Sequence, residues 1–494
     1  MQSHRNILCH TLIFTLLTGI LTACGNAANT DITQTESAAA EPDETTAGVI
    51  NWESSGLERV DYGGIDFTIF ANKDSYDNTW HKLDVAELNG DSLNDAIFNR
   101  NRKIEELYNI NISVIESSTF ANDAKNSIAA GDNAYSLFFA QLTQLVPLSQ
   151  EGMLTNFYDV NNLSLDNEWW DQNLIEGLTY RDSLYVLNGD VSPSADTRIF
   201  VILFNKDMCD ELNLEYPYQY VLDGSWTVDR LNEYITNVNY DVNGDSIMDY
   251  NARWGFFTEY GVAYMLYFAG GGRVSEKAAA GSLVLSYNNP RGIEMAEEAL
   301  SIALDSSKTC MANPYVEENG NSWPAATSWF ASGGALFRST ALEPVPRDMR
   351  PLDVNFGILP FPKMSAEQDR YYSLPAFTAN VIGVPVTTDG ERAAFILEAL
   401  SRESETGVYP AFYDVLLDGK AVRDEDSKEM LDIIFESKVF DIGYFARVGD
   451  ITVMFENMVT SGTSDVASTF ASSLSAAEAE LAELCEQLDG LIER

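Results

Sequence analysis

The sequence predicts an α/β fold with more than one domain. Short apolar runs rich in β-branched and aromatic residues alternate with segments whose apolar residues recur at helical spacing. The chain has 494 residues, ample for a large core and more than one domain. Its 45% hydrophobic and 21% charged content is that of an ordinary globular protein.

Taken in order, Met1 to Ala23 reads as a secretory signal: Arg5 supplies the charged start, and Ile7 to Ile20 is a short, mostly apolar run. A membrane-spanning helix fits less well, because the run is short and His10 and several Thr interrupt it. Leu21-Thr22-Ala23-Cys24 then matches the bacterial lipobox, and by that resemblance Cys24 is lipidated. Residues 24–58 are mainly Ala, Thr, Ser, Asn, Asp and Glu, too polar to order themselves, and read as a flexible tether. Beyond it, strands are expected at Phe67–Phe70, Ile110–Ile115 and Ser136–Ala140, with helices at Leu93–Tyr108 and Leu142–Leu148. In such an array ligands sit off the carboxyl ends of strands. That singles out Asn72, Lys73 and Asp74 after the first strand, and Gln141, Thr143 and Gln144 after the third.

Ile199–Phe204 is a continuous apolar run, read as a buried strand, and Asn205-Lys206-Asp207 follows it. A short helix and a Pro-containing loop come next. Thr227 is a plausible N-cap for a helix with Asp229 in its first turn. A further strand is expected at Leu283–Tyr287. Helices are expected at Pro290–Leu304, Trp323–Phe330 and within Pro410–Phe440. Leu474, Leu481, Leu484, Leu488 and Leu491 form one apolar stripe of a final helix.

The formal net charge is −45, from 75 acidic and 30 basic residues. It argues against nucleic acid, whose phosphates would be repelled, and makes a neutral or cationic solute likelier than a polyanion unless a local arginine overrides the field. Only three histidines are present, and two of them, His4 and His10, lie in the signal. That shortage removes HExxH zinc sites, and the remaining His81 lies far from any Asp-x-x-His arrangement, which argues against a triad built on Gly244-Asp245-Ser246. Cys209, Cys310 and Cys485 are far apart, with no metal-ligand spacing, and read as buried free thiols. Asp241, Asn243, Asp245 and Asp249 place side-chain oxygens at positions one, three, five and nine of a loop, with the Ile247 carbonyl at position seven. That is the donor pattern of a structural Ca2+ loop. Ser246 stands where such loops carry Gly, and Ala252 where an EF-hand carries its bidentate Glu, so an Asx-rich turn binding nothing is the alternative.

The run Ile199–Tyr234, with its apolar strand, Asn205-Lys206-Asp207 and Trp226-Thr227-Val228-Asp229, resembles the hinge-crossing segment of solute-binding lipoproteins of ABC importers, of the carbohydrate-binding type that includes maltose-binding protein. Glu151-Gly152-Met153-Leu154, Phe330 to Phe337, Phe356 to Pro362 and Val381 to Val384 resemble further segments of that family, in the family's order. At Ala140, and after Arg338 where no Trp follows, the chain departs from the family's stacking aromatics. The resemblance implies an α/β, two-lobed periplasmic-binding-protein-like fold with crossing hinge strands. Residues 59–198 and 380–425 would form the N-terminal lobe; 199–379 and 426–494 would form the C-terminal lobe.

It further implies a non-enzymatic receptor on the outer face of the cell membrane, held there by the Cys24 lipid. Such a receptor captures a small solute, first an oligosaccharide, and delivers it to ABC permease subunits. Transferred by position, solute contacts would come from Asp74, Gln141 and Gln144 in the first lobe. Asp196 and Arg198 precede the hinge strand, and Tyr260, Arg338 and Ser339 belong to the second lobe. Asp, Gln and Arg offer directional hydrogen bonds to a polyol, and Tyr260 a stacking face. Two alternatives stay open: a receptor for peptides or other small solutes on the same fold, and a lipoprotein glycosidase using two carboxylates. The lipobox reading predicts that Cys24→Ser releases the protein from membranes or blocks its processing; membrane association unchanged by fractionation would contradict it.

Overall fold

The structure, a computed structural model, describes residues 59–73, 78–249, 251–278, 281–315, 322–349, 352, 354–417 and 425–493. The signal, the tether, Cys24 and Asp74 lie outside the described residues.

Eleven strands among the described residues form three sheets. The first sheet has the order β11-β3-β1-β2. It contains β1 (Ile65–Asn72), β2 (Ile110–Ser117), β3 (Leu137–Gln141) and β11 (Asn380–Gly383). β1 runs parallel to β2 and β3, whereas β11 returns antiparallel to β3, pairing Asn380 with Gln141. The second sheet has the order β10-β4-β9-β5-β8. Its strands are β4 (Phe200–Asn205), β5 (Trp254–Thr258), β8 (Thr309–Met311), β9 (Ala335–Ala341) and β10 (Phe356–Leu359). A small ribbon of β6 (Ser275–Lys277) and β7 (Leu283–Leu285) completes the set.

The first sheet is parallel except at its β11 edge, whereas in the second β4 runs antiparallel to both β10 and β9, and β9, β5 and β8 run parallel. All six residues of β4 are buried, as the run Ile199–Phe204 predicts. On one face of the second sheet Trp226 is fully buried, tilted against Phe337 at 5.8 Å, and its indole N–H donates to the Pro360 carbonyl at 3.0 Å. Thr227 caps the following helix, Val228–Ile235, by accepting the Arg230 N–H. The opposite face joins a core that includes Val201, Leu203, Phe257, Phe330 and Val345, together with Trp80, Leu93 and Ile97 from beside the first sheet.

Two chain segments cross between the sheets side by side. Ile199 bridges to Pro375; the Phe200 N–H donates to the Leu374 carbonyl at 3.1 Å, and the Ala376 N–H to the Arg198 carbonyl at 2.8 Å. These are the crossing strands expected from the sequence. The strands and helices expected from the residues are present, and the structure adds others. Leu187 makes a single bridge to Ile382, on the outer edge of β11. Helix Phe120–Ala130 and strands β5 and β8 are among the elements not anticipated: the helix carries only two large apolar residues, Phe120 and Ile128, and β8 is three residues long. Helix Tyr218–Leu222 occupies what the sequence reads as loop, starting at Pro217, whose fixed φ suits a helix start. The three cysteines are unpaired; Cys209 and Cys310 are buried as expected, and Cys485 is half-buried.

Candidate functional site

β3 ends at Gln141, which with Gln144 forms a capping box on helix Leu142–Gln150. The Leu142 and Thr143 N–H groups donate to the carbonyls of Ala379 and Phe377, at 3.0 and 3.3 Å, so this strand end abuts the second crossing segment. Phe377 is half-buried and stacks on Tyr444 at 4.3 Å. Its neighbour Thr378 accepts a hydrogen bond from Arg198 Nη1 at 3.1 Å. Gln141, Thr378 and Arg198 thus come together where the two crossings run side by side.

Arg198 is one of four polar partners gathered by a single buried carboxylate, Glu343, just past the end of β9. Arg198 Nε lies 2.8 Å from Glu343 Oε2. Arg347 Nη1 and Asn78 Nδ2 each donate to Oε1 at 3.1 Å. His81 Nε2 lies 3.5 Å from the same oxygen and 3.3 Å from Arg198 Nη2. The other ring nitrogen of His81, Nδ1, lies 2.6 Å from Ser194 Oγ. Asn78 and His81 follow β1, Arg198 and Thr378 lie on the crossings, and Glu343 and Arg347 follow β9. The cluster therefore joins both sheets and both crossing segments through charge-assisted bonds.

The second group stands at the end of β5. Glu259 lies 3.8 Å from Arg338 Nη2, and its Oε2 is 3.5 Å from Ser339 Oγ. Ser339 Oγ in turn lies 2.5 Å from Thr258 Oγ1. Burial pushes the Glu259 carboxyl up to about 7, against the opposing pull of Arg338 and Ser339. Its side chain nevertheless keeps 17% exposure, whereas that of Arg338 keeps 1%, so the carboxyl is the part a solute could reach. Tyr260 follows, half-buried, its N–H held by Asn313 Oδ1 at 2.7 Å.

The sequence-selected residues thus divide. Gln141, Gln144, Arg198 and Tyr260 keep partly accessible side chains at strand ends and crossings. Arg338 and Ser339 are buried within β9 and meet the site at Glu259. Asp196 is also buried, with Lys438 Nζ at 2.6 Å and the Tyr409 hydroxyl at 3.1 Å on its two oxygens. Its role here is to hold the crossing in place. Glu259, Glu343 and His81 were missed. Glu259 was findable, since it directly precedes Tyr260 at a strand end; Glu343 and His81 carry no local signal.

In the 241–249 loop the oxygens are turned onto backbone. Asp241 accepts the Gly244 and Ser246 N–H groups at 2.8 Å each, and Asp245 accepts that of Ile247 at 2.7 Å. Ser246 takes φ 67°, the left-handed conformation that Gly would adopt more easily. Among the described residues no group of three or more His, Cys, Asp or Glu side chains is arranged to hold a metal ion.

No known protein-family profile matches the sequence. No curated protein is detectably similar to it. Solved structures share the fold. The ABC substrate-binding protein Lmo0181 from Listeria monocytogenes, in complex with cycloalternan, superposes with a TM-score of 0.56 at 14% identity, covering 85% of this chain and 99% of that one. A solute-binding protein of an ABC transporter from Agrobacterium radiobacter K84, in complex with ribitol, gives 0.52 at 13% identity, covering 85% and 99%. The GacH receptor of Streptomyces glaucescens, studied unliganded and with acarbose, gives 0.51 at 10% identity, covering 87% and 99%. The two-lobed α/β fold expected from the sequence is the one these proteins share.

Two outcomes follow from the site's electrostatics. Glu343→Ala leaves Arg198 and Arg347 without their shared carboxylate in a buried setting, and is expected to cost about 3–5 kcal/mol in urea denaturation. For Glu259, the carboxyl's ordinary value is 4.5 and its folded value is about 7. The folded state therefore binds the proton more tightly, so this contribution is fully present below about 4.5 and is lost as pH rises through about 7. Glu259→Gln is expected to flatten that part of the stability profile, by up to about 3 kcal/mol across the window. Parallel profiles for the two proteins would contradict it.

Proposed function

We propose that this chain is a solute-binding receptor that captures a carbohydrate, an oligosaccharide first, between its two lobes and delivers it to ABC permease subunits. The observation that carries the reading is the meeting of polar side chains from both lobes and both crossings at the strand ends, on a fold shared with proteins solved in complex with cycloalternan and ribitol. Gln141, Gln144, Arg198, Glu259 and Tyr260 would provide its contacts, with Asp74, Arg338 and Ser339 in support. Carboxylate, amide and guanidinium groups bond hydroxyls directionally, and Tyr260 offers a ring face. Among the described residues no helix is long and apolar enough to cross a membrane. The reading assigns membrane attachment to a lipid on Cys24, outside the cytoplasm, after removal of residues 1–23, on the strength of the Leu21-Thr22-Ala23-Cys24 motif.

Calcium belongs to the same proposal as a structural ion. Asp241, Asn243, Asp245 and Asp249, with the Ile247 carbonyl, supply the hard oxygen donors such an ion takes. Their side chains would have to turn from backbone N–H groups toward the metal. Chelation should then lower Tm, and Asp245→Ala should remove the response to calcium; identical melting curves with calcium and chelator would leave the loop a metal-free turn.

The decisive test of function is a thermal-shift screen over mono- and oligosaccharides and short peptides, followed by calorimetry. A solute bound only by the folded state raises Tm. Saturable binding of a saccharide without products is the expected result, and Tyr260→Ala should weaken it by on the order of 1–3 kcal/mol while leaving the fold intact. Binding of peptides alone would support the other receptor class, and products accumulating with time would identify an enzyme.

A further inference from the structure

Away from the Glu343 cluster, three arginines gather around one tyrosine ring. The guanidinium carbons of Arg273 and Arg370 lie over Tyr372, 4.6 and 5.1 Å from its centroid. A Cβ placed on Gly271, where φ is 95°, would lie 3.4 Å from Tyr372 Cε2 and 3.8 Å from Arg291 Nη2, so the tip of Arg291 lies near the same ring without touching it. Arg273 is half-buried and fixed by donating to the carbonyls of Phe268 and Gly272, at 3.3 and 2.6 Å. Arg291 and Arg370 are exposed.

Among the described residues none of the three forms an ion pair. In a chain with 75 acidic and 30 basic residues, a carboxylate is the commonest charged neighbour; here Asp441 acts on Arg273 from beyond ion-pair contact, and no carboxylate pairs directly with any of the three. The nearby acids are otherwise engaged. Asp441 accepts the N–H groups of Val274, Ser275 and Tyr444 and the Ser275 hydroxyl. Asp369 accepts the Tyr372 hydroxyl at 3.3 Å and the Arg370 N–H at 3.0 Å. Like charges brought this close repel, and a counter-charge would relieve them.

We propose that Arg273, Arg291 and Arg370 form a binding site for an oxyanion, a phosphate, sulfate or carboxylate group, with the Tyr372 ring as its floor. Planar guanidinium forks match the oxygens of such groups, and here the local charge overrides the acidic field of the whole chain. The site does not depend on the carbohydrate reading, because a free anion suffices to fill it.

The test is thermal shift on the full chain, titrated with sodium sulfate against sodium chloride at matched ionic strength. Sulfate should raise Tm saturably and chloride should not. The Arg291→Gln/Arg370→Gln double variant should need at least tenfold more sulfate for half the effect. Arg370→Lys, which keeps the charge and loses the fork, should fall between. Arg230→Gln, which removes a guanidinium paired with Glu233, should respond as wild type. Equal responses to sulfate and chloride, or an unchanged midpoint in the folded double variant, would overturn the proposal. A sulfated oligosaccharide with a midpoint tenfold below that of inorganic sulfate and of the unsubstituted sugar would make the oxyanion part of a solute. Equal midpoints for the sulfated sugar and inorganic sulfate would identify a free anion.

Discussion

A buried ammonium must find negative partners, and the way Lys438 finds them fixes the geometry of everything around the crossings. Its Nζ lies 2.7 Å from Asp171 and 2.6 Å from Asp196. Burial alone would lower its pKa, yet the two carboxylates hold it above the ordinary lysine value, so it stays charged. Asp171 precedes a helix packed beside the first sheet, Asp196 sits just before the first crossing, and Lys438 bridges to Ser373 just before the second. One charged group therefore ties the start of both crossings to the first lobe. Removing Lys438 would strand two buried carboxylates, which is why such a triad resists rearrangement.

With the crossings held, the strand ends they connect have fixed places. Arg198 is two residues beyond Asp196, and from there its guanidinium reaches Thr378, His81 and Glu343 at once. The two charged clusters divide the work. The Lys438 triad is sealed and structural. The Glu343 cluster spans side chains that follow β1 and β9, so its bonds must lengthen or break if the lobes part. A solute seated between the lobes would add contacts to the same closed arrangement, and binding and closure would then be coupled through differential contacts rather than through a separate device.

The sequence made the sheets legible because their interiors obey local rules. Val201 and Leu203 sit in an unbroken apolar run, and Thr227 carries its cap chemistry within three residues. The Gln141–Gln144 capping box and the apolar stripe of helix Val466–Ile492 are equally local. The site was legible only where it follows a strand end directly, as at Gln141, Arg198 and Tyr260. Glu343 and His81 lie far apart in the chain, and no spacing rule connects them; only the side-by-side crossings bring them within 3.5 Å. Asp196 was misjudged for a related reason. A carboxylate beside a hinge strand looks the same in sequence whether it faces a solute or a buried lysine 242 residues away.

The proposed function has two lobes closing over a saccharide, with Glu343 and Arg198 at their junction. Small-angle X-ray scattering of the protein with and without a saturating saccharide addresses it directly. The account predicts a smaller radius of gyration with the sugar, and a more open sugar-free form when Glu343 is replaced by Gln. Scattering profiles that coincide with and without bound sugar, and in the variant, would contradict it.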